Sequence, residues 1–162
     1  MRHFLVGIIS AASLGFASQT ASAQEINISY SEDLLEEFED SYGEKEKAVL
    51  EEALTYRLMK TVEKDDLDIS RIDIVIEDVS PNRPTYEQVR TRPGLDQFRS
   101  VSIGGAKLTG SVYGADGEIL TESKYKSYSH SINDARFGST WWDAKRAFWG
   151  FSKRVSKDIK NS

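Results

Sequence analysis

The chain contains no cysteine, and its first residues make that absence decisive. Arg2 and His3 precede an apolar run from Phe4 to Ala17, and a polar stretch closes with Ala21-Ser22-Ala23. A basic start, a short apolar middle and small residues at −3 and −1 of a cut before Gln24 form the pattern of a secretory signal peptide. The apolar run is shorter than the roughly 20 residues that span a bilayer. The expectation is therefore a cleaved leader, 1–23, and an exported chain, 24–162, periplasmic or secreted. Export permits disulfides, yet none can form here, so a hydrophobic core must hold the fold alone. Removal of 23 residues from 162 leaves 139, the size of one domain, which buries roughly two-thirds of its unfolded surface. A lipid anchor on a cysteine at the cleavage site is excluded as well. No later apolar run approaches spanning length, so no transmembrane anchor is expected.

Charge narrows the partners. The formal net charge is −5, or −6 without Arg2, which disfavours non-specific nucleic-acid binding. The charge is unevenly placed. Residues 24–68 hold 15 acids and 5 bases, whereas residues 141–162 hold 6 bases and 2 acids. Such asymmetry predicts an electrostatic polarity across the fold.

The hydrophobic pattern gives the element order. Ile26, Ile28 and Tyr30 alternate with polar residues and predict a short strand. Ser31 reads as a helix N-cap followed by Glu32 and Asp33, with Leu34, Leu35, Phe38 and Tyr42 as one stripe ending at Gly43. A second helix is predicted from Glu44 to about Lys64, with Val49, Leu50, Ala53, Leu54, Leu58 and Val62 spaced by threes and fours. Arg71 to Val79 is the clearest strand, with Ile72, Ile74 and Ile76 on one face. An irregular link from Ser80 to Phe98 contains all three prolines and a helical turn near Tyr86 to Arg90. A strand from Ser100 to Tyr113 follows, with a bulge predicted at Gly104-Gly105, where the apolar phase shifts. Ala115-Asp116-Gly117 reads as a hairpin turn. The third strand runs from Glu118 to about Ile132. A last helix, capped by Ser139 or Thr140, covers 141 to about 159. Helices packed on a small antiparallel or mixed sheet give a two-layer α+β domain. The acidic helical region and the basic final helix are expected side by side on one face of that sheet.

Two features stand out as binding candidates. In the last helix, Trp141, Ala144, Phe148, Phe151, Val155 and Ile159 fall in a band about 80° wide, the core stripe. Trp142 and Trp149 lie together outside it, flanked by Arg146, Lys153, Lys157 and Lys160. This aromatic-basic face suits an anionic lipid headgroup, a glycan or an acidic partner, unless the two indoles tuck against the sheet edge beneath the lysine stems. In the 80–99 loop, Arg83, Arg90, Arg92 and Arg99 accompany Asp78, Glu87 and Asp96. Arginine forks bind anions bidentately, or they clamp Asp78 or Asp96 and hold the loop down.

Catalytic constellations are weak. His130 is the only histidine beyond the leader, so no multi-histidine metal site can form, and a Ser-His-Asp triad would need His130 as its base. Gly104-Gly105 has neither the spacing nor the following helix of a phosphate loop. No metal, cofactor or catalytic residue is assigned.

Three clusters resemble a family of small exported bacterial envelope domains of unknown function, many of them lipoproteins. They are Arg83-Pro84-Thr85 with Gln88; Gly94-Leu95-Asp96 with Ser100, Gly104-Gly105-Ala106, Leu108 and Gly110; and Thr140-Trp141 with Asp143-Ala144 and Ala147. The likeness covers roughly residues 75–150 and departs from the family in having no lipidation cysteine. It implies an envelope location and an α+β fold, and no reaction. The resulting expectation is an exported, non-enzymatic domain that binds an envelope protein or cell-wall component, with peripheral membrane contact open. The candidate residues are Arg83, Thr85, Gln88, Asp96, Trp142, Trp149 and Lys153. The alternatives are a small cell-wall hydrolase using carboxylates, or a binder of a small anionic or lipidic ligand in a cleft beside the glycine pair.

Overall fold

The structure, a computed structural model, describes residues 24–135 and 138–162. The expected leader, 1–23, lies outside the described residues. Element order is β1 (Glu25–Tyr30), α1 (Glu32–Glu37), a π-helical turn (Phe38–Tyr42), α2 (Lys45–Asp65), β2 (Arg71–Ser80), α3 (Tyr86–Thr91), β3 (Gly105–Tyr113), β4 (Ile119–Tyr128), α4 (Ile132–Ala135) and α5 (Trp142–Lys160). The four strands form one mixed sheet in the order β1-β2-β3-β4. β1 runs parallel to β2, and β2, β3 and β4 form an antiparallel meander. The fold is a two-layer α+β domain.

Alternation along the strands decides which face is covered. The register aligns Ile26, Ile72 and Val112 in one row, Ile28, Ile74 and Gly110 in the next, and Tyr30, Ile76 and Leu108 in a third. α5 packs over β3 and β4, and α2 lies beside α5. Leu50, Leu54, Leu58 and Val62 from α2 join Phe148, Phe151 and Val155 from α5 in a single buried cluster with these isoleucines. Gly110 is the point of closest approach: a Cβ there would stand 2.8 Å from the Phe151 Cζ. The opposite face carries Asn27, Ser29, Asp73, Glu77, Thr109, Ser111, Glu122 and Lys124, with Asn27 and Arg71 both bonded to Asp73.

Several expectations are corrected. The strand predicted from Ser100 starts at Gly105, and the bulge lies on its partner, where Glu77 is the extra residue between Ile76 and Asp78. That insertion turns Val79 inward after the run of even-numbered isoleucines. The glycine pair serves close approach instead. A Cβ at Gly104 would meet the Asn82 side chain at 2.6 Å, and one at Gly105 would meet the Ser127 carbonyl and the Tyr128 ring. β4 ends at Tyr128, and the short α4 follows where a longer strand was expected. Of the first helical stripe, Leu34, Phe38 and Tyr42 are buried and Leu35 is exposed.

Candidate functional site

The site is the outward face of α5, and its placement starts with a cap supplied from far away. The residue before α5, Trp141, gives no side-chain cap bond, and neither Ser139 nor Thr140 fills that role. Asn82 does. Its Oδ1 accepts from the Asp143 backbone N–H at 2.8 Å, and its Nδ2 donates to Asp143 Oδ2 at 2.5 Å. Ser129 Oγ donates to the same oxygen at 2.6 Å and Arg146 Nη1 to Oδ1 at 3.2 Å. The Asn82 backbone bonds to Thr140 O and from Ser102 N. One buried asparagine therefore joins the end of β2, the approach to β3 and the first turn of α5.

From that fixed start the helix buries Ala144, Ala147, Phe148, Phe151 and Val155 and presents the other side to water. Trp142 is 48% exposed and Trp149 is 49% exposed. Neither indole is fully tucked under the sheet edge, although Lys153 does lie over the Trp149 ring. At 100° per residue, Trp142, Arg146, Trp149, Lys153, Lys157 and Lys160 share one sector. Both rings stand on that stripe about 10.5 Å apart along the axis. Lys153 Nζ sits 3.2 Å from the Trp149 ring centroid, a cation–π contact. α2 adds a second such pair: Tyr56, 55% exposed, lies 5.7 Å from the Arg57 guanidinium.

The loop candidates divide. Arg83 Nε donates to Gly138 O at 2.8 Å and its Nη1 donates to Phe98 O, so it staples the loop to the segment that leads into α5. Phe98, carried there, is 83% exposed. Thr85 and Gln88 must be withdrawn as contact residues. They are buried and spent on the capping box of α3, each side chain bonding the other's backbone N–H. Gln88 Nε2 also donates to Ser41 Oγ, as does Arg92. Asp96 is exposed, and one carboxylate oxygen accepts from the Phe98 and Arg99 backbone N–H groups, each at 2.8 Å. Those bonds hold its carboxyl below the ordinary range. Against the expected clamp on Asp78 or Asp96, Asp78 takes the Tyr128 hydroxyl, Arg90 pairs with Glu87, and Asp96 is held by backbone N–H groups. The structure thus sets Trp142, Trp149 and Lys153 on one stripe of α5, ties Arg83 to the segment before that helix, and removes Thr85 and Gln88.

His130 borders a small cavity with Tyr128, Ser129, Asp143 and Arg146. Ser129 donates straight to Asp143, so no histidine stands between hydroxyl and carboxylate as a relay would require. Among the described residues, no group of three histidine, aspartate or glutamate side chains could hold a metal ion. Among them too, no helix is long and apolar enough to cross a membrane. Among the described residues, the shifted carboxyls are Asp65, beside Ser156 and Lys160; Glu77, beside Lys107; Glu87, beside Arg90; and Asp96. All four shift downward.

No family model matches this chain, and no curated protein matches it.

Proposed function

We propose that the chain is an exported, non-enzymatic envelope domain that docks to a partner in the envelope through the outward face of α5. The observation that carries this reading is the pair of half-exposed tryptophans seven residues apart, interleaved with Arg146 and Lys153, on a helix whose other side is solid core. Exposed tryptophan and arginine are the side chains over-represented at binding hot spots. A rigid support means that little ordering is lost on contact. The resemblance of residues 75–150 to exported envelope domains supports the location. The hydrolase reading needs a carboxyl raised toward neutrality as general acid, and the shifted carboxyls move the other way. The test is a photo-crosslinking residue placed at Trp142 or Trp149, with Thr109 on the far sheet face as control, in cells that express the full chain. Adducts at both helix positions and none at Thr109 are expected. Equal labelling, or labelling at Thr109 alone, removes the reading.

One observation favours a second reading. Beside the glycine pair lies a cavity of about 330 Å³, lined by Pro81, Pro84, Leu95, Val101 and Ile103, with Arg92 among the lining residues. Ser41 fixes Arg92 at 2.9 Å. A pocket of this size with an apolar wall, several polar side chains and one oriented guanidinium suits a small amphipathic carboxylate. Decanoate titrated by calorimetry against wild type and Arg92→Gln is the check, and equal heats for both discard it.

A further inference from the structure

We infer that the occupant of the α5 face is an anionic phospholipid bilayer surface, with the indoles at the headgroup–acyl boundary and the lysines at the phosphates. This inference rests on the docking reading above and names the partner for the same surface.

Three observations carry it. Charge is the first. α5 holds 6 bases and 2 acids, α2 holds 5 of each, and the acidic excess is confined to other segments, with 8 acids and no base in residues 24–44 alone. Of the α5 acids, Asp143 is buried in the Asn82 clasp and Asp158 is bonded by Ser123 and Arg154. The outward sector of α5 therefore carries cations and indoles and no carboxylate of its own, with Lys160 at its far end paired to Asp65 of α2. Its length is the second. From Trp142 to Lys160 the stripe runs about 27 Å along the axis, which suits an extended plane of charge better than a point ligand. Ring chemistry is the third. Trp149 has the Lys153 ammonium at its own ring face, so apolar ring and charged headgroup partner are offered together. Indoles prefer the membrane–water interface, and long basic side chains keep their charge in the headgroup layer while their stems cover apolar surface. Lysines near an anionic leaflet are attracted to it over about a Debye length.

A protein partner with an acidic groove is the competing occupant, and the experiment separates the two. The full chain is mixed with vesicles of phosphatidylglycerol or of phosphatidylcholine at low salt. Because the apolar run Phe4–Ala17 itself partitions into lipid, the readout is tied to α5. Tryptophan emission and acrylamide quenching are followed in wild type and in Trp142→Ala/Trp149→Ala, where the buried Trp141 alone remains. Phosphatidylglycerol is expected to shift the wild-type emission to the blue and to protect it from quencher, with at least ten-fold weaker binding to phosphatidylcholine. The double variant is expected to show neither change, and Lys153→Glu/Lys157→Glu to bind phosphatidylglycerol at least ten-fold more weakly with its circular dichroism unchanged. An emission that phosphatidylglycerol leaves unmoved, or equal binding by wild type and the lysine variant, overturns the lipid assignment. If it falls while crosslinkers at Trp142 and Trp149 capture a protein, the docking reading stands. If both fail, both go.

Discussion

Asn82 is the residue on which the geometry of the helix face turns. It satisfies the first turn of α5 and the buried Asp143 carboxylate at once. Removal of an N-cap costs about 1 kcal/mol, and leaving a buried polar group without its partner costs about 1–3 kcal/mol. Asn82→Ala is therefore expected to lower the urea unfolding free energy by roughly 2–4 kcal/mol. Asn82→Asp, which sets two carboxylates against each other, should lose more and recover partly in acid. Gly104→Ala should reproduce the defect, because its Cβ would meet the Asn82 side chain. A double-mutant cycle between Gly104→Ala and Asn82→Ala should show strong non-additivity. Simple addition of the two losses would disprove the coupling. The glycine pair reads in sequence as a bulge, whereas it serves close approach to a neighbour the sequence does not reveal; 61 residues likewise separate Asn82 from Asp143. Ser139 and Thr140 sat where a local cap belongs, and local reasoning favoured them.

At the scale of elements, periodicity was the reliable guide wherever one face is buried and the other wet. α2 and α5 fall within a residue or two of their predicted bounds, and β2 within one. Irregular features escaped because their causes are tertiary. The π-helical turn closes with the Gly43 N–H on Phe38 O at 2.8 Å, a widening that seats Phe38 and Tyr42 in the core without a sequence signature of its own. The bulge at Glu77 betrays itself only as a phase change between Ile76 and Val79. Residues 101–103 alternate like a strand, yet they run beside Asn82 and never enter the sheet. Of the candidate site, the Trp142–Trp149–Lys153 stripe was legible from the wheel. The Asn82 clasp that fixes the start of that stripe was not, because it joins residues far apart in the chain. Thr85 and Gln88, put forward as contact residues from a resemblance, carry the Thr-x-x-Gln spacing of a capping box, and the structure spends them on that box. Thr85→Ala is expected to speed amide exchange across Tyr86–Thr91 several-fold while shifting the melting temperature by only a few degrees, since an N-cap contributes about 1 kcal/mol. A large global loss would mean that α3 does more than brace the loop.

For the whole molecule, acid is the sensitive direction. Asp65, Glu77, Glu87 and Asp96 are all held below their ordinary values by hydrogen bonds and cations. The unfolded chain therefore binds more protons than the folded one in acid. The stability these groups contribute is complete above about pH 5 and drains away as the pH falls through 4 and below. Urea titrations at pH 7 and pH 3.5 should show that drop, and a flat profile would contradict it. In alkali, Tyr30, Tyr42 and Tyr128 have phenols raised chiefly by burial; their contribution is present at neutral pH and lost only as the pH climbs past the ordinary tyrosine range. One feature of the layout has mechanical meaning. The amide of Glu25, opening β1, bonds to Ser70 O, and Lys160, closing α5, pairs with Asp65. Both extremities of the folded body are thus moored to the same short turn. Tension applied between them would not stretch the sheet along its strands but would peel β1 and the tail of α5 away one bond at a time. A body tethered in that way yields to modest force in an optical trap, opening from its moorings while the Asn82 clasp at the far pole is the last to feel the load.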